Sequence, residues 1–85
     1  MVEKMLGTVT HYFRKLSVAV LDLKEPLTVQ DLVAFRGATT DFEQEIKSMQ
    51  LDHQSIDVGG VGQEVAVKVM DKVRVGDAIY KLNVD

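Results

Sequence analysis

From Leu6 to Phe13 the chain runs Thr8, Val9, Thr10, His11, Tyr12, residues whose branched or aromatic side chains suit a pleated strand. Leu16 to Leu23 predicts a second strand. There Val18 and Val20 fall in one phase and Ala19, Leu21 and Leu23 in the other, so both faces are apolar. Such a strand is either central or covered by another element. The polar pair Arg14-Lys15 between the two predicts a hairpin. Pro26 ends this unit, since proline donates nothing to a central ladder. Leu32 to Arg36 predicts a third strand, stopped by Gly37. Val61 to Met70 predicts another, in which Val65, Val67 and Val69 alternate with Glu64, Ala66 and Lys68. Ala78 to Val84 closes the series, with Tyr80, Leu82 and Val84 in one phase.

Thr40 to Met49 carries helix signals instead. Thr40 and Glu43 have capping-box spacing, acidic residues fill the first turn, and Phe42, Ile46 and Met49 fall on one helical face. Read as a strand, the segment alternates Phe42, Gln44 and Ile46 against Glu43, Glu45 and Lys47. The apolar phase then shifts to Met49 and Leu51, which requires a bulge near Ser48. Local signals favour the helix.

A weak internal repeat relates Leu27-Thr28-Val29-Gln30-Asp31-Leu32-Val33 to Val73-Arg74-Val75-Gly76-Asp77-Ala78-Ile79. Each copy places Asp after a turn, where its carboxylate can accept backbone N–H bonds. Two copies do not make a solenoid; they fit two similar strand starts within one sheet.

The chain has 85 residues, 46% of them hydrophobic and 27% charged, which predicts one globular domain over residues 1–85. The absence of cysteine excludes a disulfide scaffold and thiolate chemistry. No apolar run reaches the roughly 18 residues of a membrane span, and no apolar leader opens the chain, so a cytoplasmic protein is expected. The net charge of −3 argues against a dedicated nucleic-acid binder but leaves room for a local basic patch.

Little in the sequence points to catalysis. Alternation from Val9 puts His11 in one phase with Phe13, on the inward side, where a structural histidine is the plainer reading. His11 and His53 have no metal-ligand spacing. Gly59-Gly60-Val61-Gly62 lacks the pattern of a phosphate loop and reads as a turn. Glu43 and Glu45 solvate a face. Lys68, Lys72, Arg74 and Lys81 are interleaved with Asp71 and Asp77, a pattern that reads as mixed surface. His11-Tyr12-Phe13-Arg14-Lys15 is the best binding candidate, because aromatics beside cations stack bases and neutralise phosphates. The plain alternative is a charged hairpin tip. No enzyme activity, metal or cofactor is expected.

Leu6-Gly7-Thr8-Val9-Thr10-His11-Tyr12-Phe13, Val18-Ala19-Val20, Thr39-Thr40-Asp41-Phe42 and Ser48-Met49-Gln50-Leu51-Asp52-His53 together resemble the second-domain barrel of translation elongation factor Tu in its short, elongation-factor-like form. Similar barrels stand alone or close the C-terminus of collagenase-like peptidase-family proteins, some linked to RNA hydroxylation. The resemblance implies an all-β fold, a closed antiparallel barrel of about six strands. It also implies one long strand in place of the helix at Thr40 to Asp52. Gln30 and Ala38 depart from it, standing where the family usually has Gly and commonly His. The substitution at Gln30 implies turn strain. The function it implies is a non-catalytic translation-type module binding RNA, tRNA or a ribonucleoprotein through His11, Tyr12, Arg14 and Lys15. The alternative is a protein–protein interaction or assembly module without nucleic-acid binding.

Overall fold

The computed structural model describes residues 3–82 and contains only strands, turns and loops among them. In chain order the strands are β1 (Lys4–Phe13), β2 (Val18–Leu23), β3 (Leu27–Thr28), β4 (Leu32–Arg36) and β5 (Asp41–Glu45). They continue with β6 (Met49–Leu51), β7 (Gln54–Ser55), β8 (Val58–Gly59), β9 (Glu64–Lys68) and β10 (Ala78–Lys81). The third predicted strand, Leu32 to Arg36, is β4; those predicted from Leu6, Leu16, Val61 and Ala78 correspond to β1, β2, β9 and β10 with bounds a few residues away, and β3, β7 and β8 were not expected. Val84 of the last predicted strand lies outside the described residues.

All pairings are antiparallel. Eight strands form one sheet in the order β5-β4-β10-β1-β2-β9-β6-β7, and β3 pairs with β8. The expected all-β architecture is present. The expected closed ring of six strands is not: no ladder joins β5 at one end of the sheet to β7 at the other. The gap beside β5 is bridged by a side chain. Gln44, 4% exposed, donates from Nε2 to the Lys68 carbonyl (2.9 Å) and accepts the Met70 N–H at Oε1 (2.7 Å).

The curled sheet wraps one core. Leu6, Leu21, Leu27, Phe35, Ile46 and Ile79 are fully buried in it, and Phe35 stacks on Phe42 at 5.1 Å. The segment expected from local signals to be helical is strand, break, strand. Residues 46–48 interrupt it, at the phase shift near Ser48. The extended path still packs Phe42, Ile46 and Met49 on the core, as one helical face would have done. It also pairs β5 with β4 along its length and buries Gln44 against β9. Those tertiary bonds outweigh propensity differences of tenths of a kcal/mol per residue.

The sequence repeat is a structural repeat. Asp31 Oδ2 accepts the Thr28 N–H (2.9 Å) and Asp77 Oδ2 accepts the Arg74 N–H (2.8 Å). Asp31 N–H bonds the Thr28 carbonyl and Asp77 N–H the Arg74 carbonyl, both at 3.0 Å. Gln30 and Gly76 occupy the same position with φ of 82° and 95°. Each then donates its N–H at 2.8 Å, Gln30 to Ile46 and Gly76 to Val9; Asp31 and Asp77 accept in return from the same two residues at 2.9 Å. The turns launch β4 and β10, which pair with each other.

Candidate functional site

The β1–β2 connection sets the local geometry. Pairing runs Val9 to Leu21 and then His11 to Val20, so Thr10 is an extra residue, a bulge. It shifts the phase by one. Val9 faces the core, whereas His11 and Phe13 face outward; the expectation of an inward His11 is corrected on this ground. Thr10 Oγ1 lies 3.2 Å from the Val20 carbonyl and 3.1 Å from Glu64 Oε2, which holds the bulge. His11 and Phe13 stack at 6.4 Å. Tyr12 points the other way and packs on the rim of the core. Arg14 and Lys15 are exposed in the turn that follows, which is longer than the predicted two residues and includes Leu16 and Ser17. Of the candidate residues, Tyr12, Arg14 and Lys15 line one shallow hollow with Phe13 and Leu16, and His11 stacks on Phe13 on the outward face.

The outward face of β2 forms a groove that the sequence hinted at only through the strand's two apolar sides. Val18 and Val20 with Ala66 of β9 make its floor; Phe13 and Leu16 make one wall. Gln50 and the tip residue His53 stand on the other side, and Glu64 and Asp52 supply acidic borders. The hollow has a volume of about 480 Å³. Phe13 is 49% exposed and Leu16 61%. Phe13 and Leu16 thus present apolar side chains to solvent at the edge of the hollow. Leu16 was expected inside a strand; the turn places it on this wall.

His53 sits in a two-residue hairpin, with Leu51 paired to Gln54 and positive φ at Asp52 and His53. This puts it far from any ligand set, and no group of three metal-ligating side chains occurs among the described residues. No helix among them is long and apolar enough to cross a membrane. On the opposite side of β1 from the groove, Tyr12, Thr39, Thr40, Lys72, Val73 and Arg74 surround a second cleft of about 280 Å³. It was not legible as a site, because its residues come from three separate stretches of chain.

No family model matches the chain. A stretch of 78 residues is 36% identical to an uncharacterized protease of Methanocaldococcus jannaschii, covering 91% of this chain and 19% of that protein. The chain thus spans about a fifth of the length of that curated relative. Among solved structures, the C-terminal domain of a Geobacillus thermoleovorans protein named as a U32 peptidase has a TM-score of 0.88 at 22% identity, with 94% of this chain and 93% of that one covered. Its selenomethionine variant has a TM-score of 0.85 at 20% identity, with 89% and 96% covered. These structures show a shared fold.

The findings correct the functional expectation. The matched proteins are named as proteases, not as translation or RNA-binding factors, so the elongation-factor assignment and the RNA, tRNA or ribonucleoprotein partner are withdrawn. The expectation of no enzyme activity is withdrawn for the same reason. What stands is the likeness to the C-terminal domain of peptidase-family proteins. The error has a physical source: the residues that carried the resemblance are mostly strand positions that specify a small β-fold, and such folds host unrelated functions.

Proposed function

We propose that this chain is a protein-interaction module of the U32 peptidase type, and that it serves peptide hydrolysis by docking on the rest of such a peptidase. The occupant of the groove is then the peptidase polypeptide itself. The carrying observation is the groove on the outer face of β2, with Phe13 and Leu16 exposed beside Val18, Val20 and Ala66. Two further facts support the reading. Nearly the whole chain superposes on nearly the whole of a peptidase's C-terminal domain. The curated relative carries four-fifths of its length beyond the matched part, which supplies a partner surface close at hand.

The acidic borders at Glu64 and Asp52 fit a partner patch with a polar or basic rim around an apolar centre, the usual anatomy of such contacts. The test is a graft. This chain replaces the matched 78 residues of the M. jannaschii protease, and thermal unfolding of the hybrid is followed by calorimetry. Docking gives one cooperative transition, and Leu16→Glu with Val20→Glu splits it into two. Two independent transitions in the unsubstituted hybrid would sink the proposal.

A further inference from the structure

The positive charges are not evenly spread. Lys4, Lys24, Arg36, Lys47 and Lys81 each pair with a carboxylate. Arg36 contacts Glu3, Asp41 and Glu43, and its hydrogen bond with Glu3 is the main cause of a pKa raised above the ordinary value. The other five cations, Arg14, Lys15, Lys68, Lys72 and Arg74, form no ion pair among the described residues. The fold collects these five at one end.

Lys68 Nζ donates to the Leu16 carbonyl (3.1 Å), and Val69 N–H bonds the Ser17 carbonyl (2.8 Å), so the chain after β9 runs against the Arg14–Lys15 turn. Tyr12 borders a shallow hollow with Arg14 and Lys15 on one side and the 280 Å³ cleft with Lys72 and Arg74 on the other. Of the nearby carboxylates, Asp71 accepts the Lys72 N–H and buried Asp77 accepts the Arg74 N–H, and neither pairs with the side chain of Lys72 or Arg74. The exposed side chains of Lys72 and Arg74 keep their charge available for a ligand. What the sequence presents as interleaved charge becomes a cleft whose charged lining residues are Lys72 and Arg74, with Tyr12, Thr39 and Thr40 beside them.

We propose that this cleft is an anion site for the carboxylate side chains of an acidic segment of a partner protein. It goes beyond the groove reading, because the cleft opens on the opposite side of β1. Complementary charge argues for the ligand class. The scale of the site favours a short acidic segment over a nucleic acid, whose phosphates extend past the cleft. Arg74 offers the planar fork that grips a carboxylate with two hydrogen bonds, and Lys72 adds a point charge.

The probe is an oligoglutamate peptide titrated into the isotope-labelled chain and followed by amide NMR. Saturable shifts confined to Tyr12, Thr39, Thr40 and residues 72–74 are expected. Lys72→Glu with Arg74→Glu should weaken binding at least about tenfold, while the charge-matched pair Lys24→Glu with Lys47→Glu weakens it less than about threefold. Should the reversed pair unfold, the neutral pair Lys72→Gln with Arg74→Gln must weaken binding in the same direction. Equal losses in both charge-reversed pairs would reduce the effect to net charge and overturn the site. So would absence of a saturable shift. Tighter binding of an oligothymidylate of equal charge would assign the cleft to nucleic acid instead.

Discussion

Gln44 replaces a strand for Met70. Its carboxamide accepts the Met70 N–H and donates to the Lys68 carbonyl, the two bonds a neighbouring peptide group would make. The gap between β5 and the chain leaving β9 is thus spanned by one side chain. Gln44→Ala is expected to destabilise the chain by about 1–3 kcal/mol, because two partly buried backbone groups lose their partner together. Urea unfolding measures the loss. Faster hydrogen exchange at the Met70 amide, without a matching change at Ile79, would locate it.

The twin turns make opposite predictions. Gln30 holds a φ of 82° that a side chain rarely adopts, whereas Gly76 holds 95° without a Cβ. Gln30→Gly should stabilise by about 0.5–1 kcal/mol, the relief of strain exceeding the added freedom of the unfolded chain. Gly76→Ala should destabilise by about 1–2 kcal/mol. Equal effects of the same sign at the two positions in thermal melts would refute the equivalence.

Gly37 is required by contact. A methyl group there would overlap the Asp77 carboxylate, which is itself held by the Arg74 N–H. Gly37→Ala should cost about 1–3 kcal/mol, the scale of overpacking a filled site. In an Asp77→Ala background the same change should cost much less. A double-mutant cycle measures that coupling, and additive losses would show that Gly37 serves some other need.

The hairpin at Asp52 and His53 has the mirror-image turn in which Asn-Gly is favoured. Replacing the pair by Asn-Gly should therefore stabilise by about 1 kcal/mol. Chemical denaturation checks the gain, and a loss of stability would mean that these side chains make contacts worth more than the strain.

Much of the architecture was legible from residue patterns. The bounds of β4 follow from a run of apolar residues stopped by Gly37, and the matched Asp turns announced their own geometry through spacing. Thr40 to Met49 misled because three core residues at helical spacing are also buried by a strand with one break, and only Gln44, whose partners lie 24 and 26 positions away, distinguishes the two. The bulge at Thr10 has no local sign at all, yet it decides which way His11 faces. The groove was half legible, in the double apolar face of β2. The cationic cleft was hidden, since Tyr12, Thr39 and Thr40 meet Lys72 and Arg74 only in the folded chain.

Within the large sheet β1 pairs with β10, with Lys4 opposite Lys81. The strands farthest apart in sequence are therefore nearest neighbours, and β4 and β5 join the rest of the sheet through β10. Folding must close the longest available loop before β4 and β5 join the rest of this sheet. Refolding is thereby placed on the slow side for a domain of this size, on the order of milliseconds to seconds. On the ribosome, the core cannot form until Lys81 has cleared the exit tunnel.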